Sequence, residues 1–298
     1  MTCFLFPGQG SQKPGMGQDF YEQSQEARAV LDTAAAVLPA GFLDTLFGED
    51  AEAVNHTRFA QPALLAVETA IVAHLSARGV EPSICMGHSL GEISALVAAK
   101  VCAFEDALGF VQERARLMSE DVPPGGMAAV MGLDPAAIAA ALPDGVQIAN
   151  DNGPGQTIIS GSEAGLAAAA EPLKAAGAKR VLPLKVSGPF HSVYMKPAAE
   201  RFAAVLAGVH FSAPACTFVS SVTAQPESDP ERIRTLLAEQ LYSPVRWSET
   251  IRHATEPCYE TGPGSVLAGL SKRIEGAPPA TGVGTVEAAG AVVVDPFP

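Results

Sequence analysis

Apolar residues along the chain fall into short runs and longer stretches of helical spacing, punctuated by Gly and Pro. Cys3–Phe6 reads as a short buried strand ended by Pro7-Gly8, and Pro62–Leu75 carries a helical apolar period. Ser83–Met86 predicts a second strand that passes, after one sharp turn, into a helix from about Glu92 to Lys100. Glu105–Glu120 predicts a further helix with acids in its first turn. Strands alternating with helices in this way place the chain in the α/β class.

The texture changes at Val122, where Pro123-Pro124-Gly125-Gly126 reads as a hinge. Beyond it the pattern predicts a strand at Met127–Met131, a helix at Pro135–Ala141, strands at Gln147–Asn150 and Gln156–Ser160, a helix at Ser162–Ala176 and a strand at Arg180–Val186. This β-α-β-β-α-β order is that of a ferredoxin-like unit. Residues 123–191 are therefore expected to form a small subdomain inserted into a larger one made of 1–122 and 192–298. Longer helices return from about Ser192, with a strand near Cys216–Val219. The tail from Gly276 is expected to give a last strand or a loosely held end.

With 298 residues and 48% apolar content, the chain can bury a sizeable core, which argues against disorder for most of it. A net charge of −13 argues against nucleic acid or an anionic membrane as main partner, because polyanion binding is carried by excess Lys and Arg. No uninterrupted apolar stretch approaches the ~20 residues of a bilayer span, and the start does not read as a signal peptide. No membrane association and a cytoplasmic location are the expectation. Cys3, Cys85, Cys102, Cys216 and Cys258 show neither CxxC nor Cys/His metal spacing, so they read as free thiols in a reducing compartment, with no metal site.

Gly87-His88-Ser89-Leu90-Gly91 fits the G-x-S-x-G nucleophile elbow, with an apolar strand before it and a helix after it. Such a turn strains its central residue and exposes the Ser89 hydroxyl at a helix N-terminus, where free N–H groups can stabilise an oxyanion. Leu90 N–H is the first donor. A tight turn in which Ser89 only caps the helix is the competing account. A nucleophilic serine needs a base: His88 follows the turn away from Ser89, His74 sits in a helix, and His191 stands in a loop after a predicted strand, where functional side chains are commonly displayed. In the Glu105–Glu120 helix, Leu108, Val111, Ala115 and Met118 form an apolar stripe, and Arg114 falls inside that arc. A guanidinium aimed at a core is costly unless paired, so Arg114 either meets an internal acid, snorkels to the surface, or clamps the carboxylate of a substrate.

Together these residues resemble the malonyl-CoA:acyl carrier protein transacylases and related acyltransferase domains of fatty acid and polyketide synthases. The likeness runs from Phe4 to about Ile274. It rests on Phe6-Pro7-Gly8-Gln9-Gly10-Ser11-Gln12, Gln61-Pro62-Ala63-Leu64, Gly87–Glu92, Arg114, Met127–Val130, Asn152–Gln156, Phe190-His191-Ser192, Gln240–Val245 and Glu260–Gly264. The resemblance implies an α/β-hydrolase-like large subdomain carrying the ferredoxin-like insert, with Ser89 as acylated nucleophile and His191 as its base. It implies an oxyanion hole from the Gln9 and Leu90 N–H groups, and Arg114 binding the malonyl carboxylate. Gln240 is placed beside the catalytic pair, and Gln61, Met118 and Phe190 join the substrate site, the bulk of Phe190 disfavouring an α-methyl group. The implied substrates are malonyl-CoA and a holo acyl carrier protein. No cofactor beyond the coenzyme A thioester is implied, and a monomer is the working expectation. Carrier docking would use Lys174, Lys179, Arg180 and Lys185, or Arg246 and Lys272-Arg273. One departure stands out: Ser220-Ser221 replaces a pair of asparagines common in relatives, so the histidine is expected to lean on a backbone carbonyl or another residue. A serine acyl hydrolase on the same scaffold, the transacylase subunit of a malonate decarboxylase, and a silent docking subunit are the alternatives.

Overall fold

The computed structural model describes residues 1–120 and 122–292. Among the described residues ten strands form two sheets: β1 (Cys3–Phe6), β2 (Ile84–Gly87), β3 (Gly126–Met131), β4 (Val146–Asp151), β5 (Gln156–Gly161), β6 (Arg180–Pro183), β7 (Thr217–Ser220), β8 (Gln225–Glu227), β9 (Cys258–Glu260) and β10 (Ala280–Gly282). The larger sheet has the order β10-β9-β1-β2-β7-β8, parallel except for the β7–β8 pair. Parallel strands covered on both faces should be continuously apolar, and every residue of β1 and β2 is buried.

The helix Thr57–Ala77 packs behind this sheet against helices Gln25–Val37 and Phe104–Leu117. By length and hydropathy it could cross a bilayer, a feature the search for uninterrupted apolar runs does not detect. However, 67% of its apolar window is buried inside the fold, so it serves as the core helix. Its Glu68 is fully buried, with neither carboxyl oxygen in hydrogen-bond geometry, and burial pushes this carboxyl well above its ordinary range.

The smaller sheet has the order β4-β5-β3-β6, all pairs antiparallel, with helices Pro135–Ala141 and Glu163–Ala175 between its strands. This is the ferredoxin-like arrangement. Strand alternation sends its side chains two ways. Ala128, Val130 and Ile159 join a small core with Ile138, Ala169 and Leu173 of the helices, whereas Met127, Ala129 and Ile158 join the main core of the large unit. The chain segments entering and leaving this sheet touch: a Cβ on Gly125 would come 2.6 Å from the Gly161 carbonyl and 3.0 Å from Pro189, and one on Gly188 2.3 Å from Val122. The run read as a hinge is therefore a packed crossing.

The tail is held as far as it is described. Beyond β10 a short helix Val286–Gly290 is tied down by Asp19, whose carboxylate accepts from Val286 N–H at 2.7 Å, and by Arg78, which donates to the Ala289 and Gly290 carbonyls. Residues 293–298 of the tail lie outside the described residues.

Candidate active site

The turn between β2 and the helix Gly91–Ala98 is possible only with glycine on both sides. A Cβ on Gly91 would lie 2.0 Å from the Phe6 carbonyl oxygen, and one on Gly87 2.1 Å from the Gly91 carbonyl carbon. Ser89 itself takes φ +52°, the left-handed conformation in which a non-glycine residue is strained. Its side chain is thereby lifted off the end of the strand. The Leu90 and Gln9 N–H groups donate to no protein acceptor among the described residues, and Gln9 lies in the loop that follows β1, immediately beside the elbow.

His191 also has a left-handed backbone, with φ +55°. Its Nε2 lies 2.8 Å from Ser89 Oγ, and its Nδ1 lies 2.8 Å from the Gln240 carbonyl and 3.2 Å from the Ser243 carbonyl. Carbonyl oxygens can only accept, so Nδ1 carries the proton and the Nε2 lone pair faces the serine. This meets the expectation that a backbone carbonyl takes the place of the missing asparagine. Burial, followed by the nearby Arg114 charge, pulls the His191 pKa down to about 3, which keeps the ring neutral and basic in form. His88 turns the other way: its Nε2 meets Asn152 Oδ1 at 2.8 Å and its ring packs beside Trp247.

Arg114 is 1% exposed on the helix Phe104–Leu117. It donates to Gln61 Oε1 at 2.7 Å, to Gln240 Oε1 at 2.9 Å and to Ser89 Oγ at 3.4 Å. Its Nε has no partner, and no carboxylate among the described residues forms an ion pair with it. The internal acid that sequence reasoning allowed is thus not in contact. Burial lowers its pKa to about 10, with the Glu92 charge opposing that shift, so it remains a cation at neutral pH. Each terminal nitrogen gives one N–H to a glutamine, which leaves further donors for an anion beside Ser89.

These groups line a cleft of about 390 Å³ between the two sheets. Gln9, Ser89, Arg114, Met118, Phe190 and His191 form its wall, while Gln61 and Gln240 stand fully buried behind it. Met118, one turn beyond Arg114, lies at the end of the helix, which stops at Leu117, three residues short of its expected end. Residues that sequence reasoning quoted only within motifs also belong here. Glu92 and Ser221 lie beneath Gln240, Ser243 supplies a backbone carbonyl, and Met127 and Ile158 close the cleft from the small sheet. Of the basic residues considered for docking, Lys174 pairs with Glu171, Arg246 with Glu249, and Lys185 lines the cleft.

The protein is thus of the α/β class, with a neutral histidine bonded to a serine on a strained elbow between a mainly parallel sheet and a ferredoxin-like insert. The acyl transferase domain family matches residues 3–264, and the chain belongs to that family. It is 43% identical over 284 residues, 91% of this chain and 90% of the relative, to the malonyl CoA-acyl carrier protein transacylase of Bacillus subtilis. Among solved structures, an acyl carrier protein S-malonyltransferase from Vibrio cholerae superposes with a TM-score of 0.94 at 40% identity, covering 98% of this chain and 99% of that one. A malonyl-transacylase in complex with its type II PKS acyl-carrier protein superposes with a TM-score of 0.92 at 40% identity, covering 97% of each chain.

Proposed function

We propose that this protein transfers a malonyl group from malonyl-CoA to the phosphopantetheine thiol of a holo acyl carrier protein, supplying extender units for fatty acid or polyketide synthesis. The observation that carries the substrate assignment is Arg114: a buried cation with no carboxylate among the described residues in an ion pair with it, 3.4 Å from the Ser89 hydroxyl. An acyl group attached to Ser89 with its own carboxylate one methylene away brings the missing charge to that guanidinium.

His191 Nε2 takes the Ser89 proton as Oγ attacks the thioester carbon. The Gln9 and Leu90 N–H groups hold the oxyanion. Collapse breaks the C–S bond, and the departing coenzyme A sulfur receives the proton from His191. In the second half the carrier thiol gives its proton to His191, attacks the Ser89 ester, and the serine recovers the proton as it leaves. These steps call for no bound cofactor and for a single copy of the chain. Phe190 crowds the α-carbon, which favours malonyl over branched homologues by about 1–3 kcal/mol. Five free thiols fit a cytoplasmic location.

Intact-mass measurement after mixing with malonyl-CoA, followed by addition of holo carrier protein, tests the reading. A malonyl adduct on Ser89 that moves to the carrier is expected. Free malonate without transfer would overturn it in favour of an acyl hydrolase.

A further inference from the structure

Glu92, in the first turn of the elbow helix, is 1% exposed and touches neither the cleft nor Arg114. Its carboxylate is surrounded by donors: Ser220 Oγ at 3.1 Å, Ser221 N–H at 3.2 Å, the Ser221 hydroxyl, and Gln240 Nε2 at 2.8 Å. Gln240 Nε2 also donates to the Ser89 carbonyl at 3.0 Å, while its Oε1 accepts from Arg114. The Gln240 amide is thus held from both ends. Were it reversed, its NH2 would face the guanidinium, donor against donor, and its oxygen would face the Glu92 carboxylate and the Ser89 carbonyl, acceptor against acceptor.

We infer that Glu92 is a positioning residue for malonyl selection: held by Ser220 and Ser221, it fixes the amide face of Gln240, which in turn aims Arg114 at the acyl carboxylate. The chain of contacts is continuous from the serine pair to the guanidinium. It gives the Ser220-Ser221 substitution a task different from that of orienting the histidine, since His191 already has two backbone carbonyls. The inference rests on the proposal that Arg114 binds the malonyl carboxylate.

With Glu92→Gln the charged acceptor at 92 is lost and the residue gains an NH2 of its own, so the Gln240 amide is held in its orientation by the Ser89 carbonyl and Arg114 alone. The test compares Ser89 loading by malonyl-CoA and by acetyl-CoA, using intact mass over time, in the unaltered protein, Glu92→Gln, Glu92→Asp and the double variant Ser220→Ala/Ser221→Ala. Loss of one charge-assisted hydrogen bond should lower the malonyl-to-acetyl rate ratio about tenfold in Glu92→Gln. A smaller drop is expected in the serine double variant and partial recovery in Glu92→Asp. An unchanged ratio in Glu92→Gln, or equal loss for both donors, would overturn the positioning role. If Glu92→Gln does not fold, the serine double variant decides on the same ratio. Absence of any malonyl preference in the unaltered protein would instead overturn the reading of Arg114.

Discussion

Arg114 approaches Ser89 through one terminal nitrogen, 3.4 Å from the hydroxyl oxygen, while both of its terminal nitrogens are anchored by glutamine oxygens. In the proposed reaction, a fixed cation at that distance from Ser89 sets the length of the acyl group that fits between them. Replacing Arg114 by Ala should reduce malonyl loading by about 10²–10³-fold, the magnitude of a lost buried charge pair, and acetyl loading by far less. Equal loss with both donors would show that Arg114 only supports the fold.

The same guanidinium sits near the base. His191 is neutral because burial and the Arg114 charge hold its pKa down to about 3. The rate of Ser89 loading should therefore stay level as pH falls from 8 to about 5, without the inflection near the ordinary histidine value of 6.5. In Arg114→Ala the residual acetyl loading should acquire an acid limb displaced to higher pH, because the largest charge contribution to the depression is gone. Stopped-time acylation with acetyl-CoA across pH reads both profiles, and identical profiles would exclude the electrostatic coupling.

Glu68 gives a pH effect on stability of definite sign. Its folded pKa is raised by burial above the ordinary 4.5, so its contribution is fully present below that value. The contribution is lost as pH rises through the folded pKa, because the unfolded chain releases the proton first. Urea melts of the unaltered protein and Glu68→Gln should diverge in their pH dependence above 4.5, the variant losing less stability on going to alkaline pH. Parallel curves would mean that the carboxyl is ionised in place.

Gly91→Ala should be the most damaging conservative change at the elbow. The added methyl would meet the Phe6 carbonyl at 2.0 Å, a backbone atom of the central strand that cannot move aside. A cost of about 3 kcal/mol or more is expected in denaturant unfolding, together with loss of Ser89 acylation. By contrast, Gly109→Ala in the helix Phe104–Leu117, where nothing lies within 4 Å, should be tolerated.

Phe190→Ala should relax selection at the α-carbon. The ratio of methylmalonyl to malonyl loading is expected to rise about tenfold, in line with the ~1–3 kcal/mol that one crowded methyl is worth. Competition between the two thioesters, read by adduct mass, checks this.

Much of the architecture was legible because Pro and Gly mark its boundaries. The helix at Pro135–Ala141 and the strand Cys3–Phe6 fall where the pattern puts them, and Arg114 was exposed as an anomaly by helical geometry alone. The strand predicted to reach Val186 stops at Pro183, after one last backbone bond from Leu184 N–H to the Met127 carbonyl. The missed parts of the site share a cause. Ser243 acts through its carbonyl, and backbone acceptors leave no trace in residue type. Glu92 is an acid in the first turn of a helix, a place where acids ordinarily face water, and only the three-dimensional arrival of Ser220, Ser221 and Gln240 shows that this one is enclosed.

The alternation of Met127, Ala129 and Ile158 into the main core has a kinetic consequence. Parting the small sheet from the large one would strip these side chains of apolar cover, a cost that opposes widening the space above Ser89 by a swing of one body against the other. Donor and acceptor of the proposed transfer would then share one approach to Ser89, each arm withdrawing before the next can enter. With the proposed Ser89 acyl-enzyme, steady-state rates should give parallel double-reciprocal lines, with high concentrations of the thioester donor inhibiting competitively against the carrier.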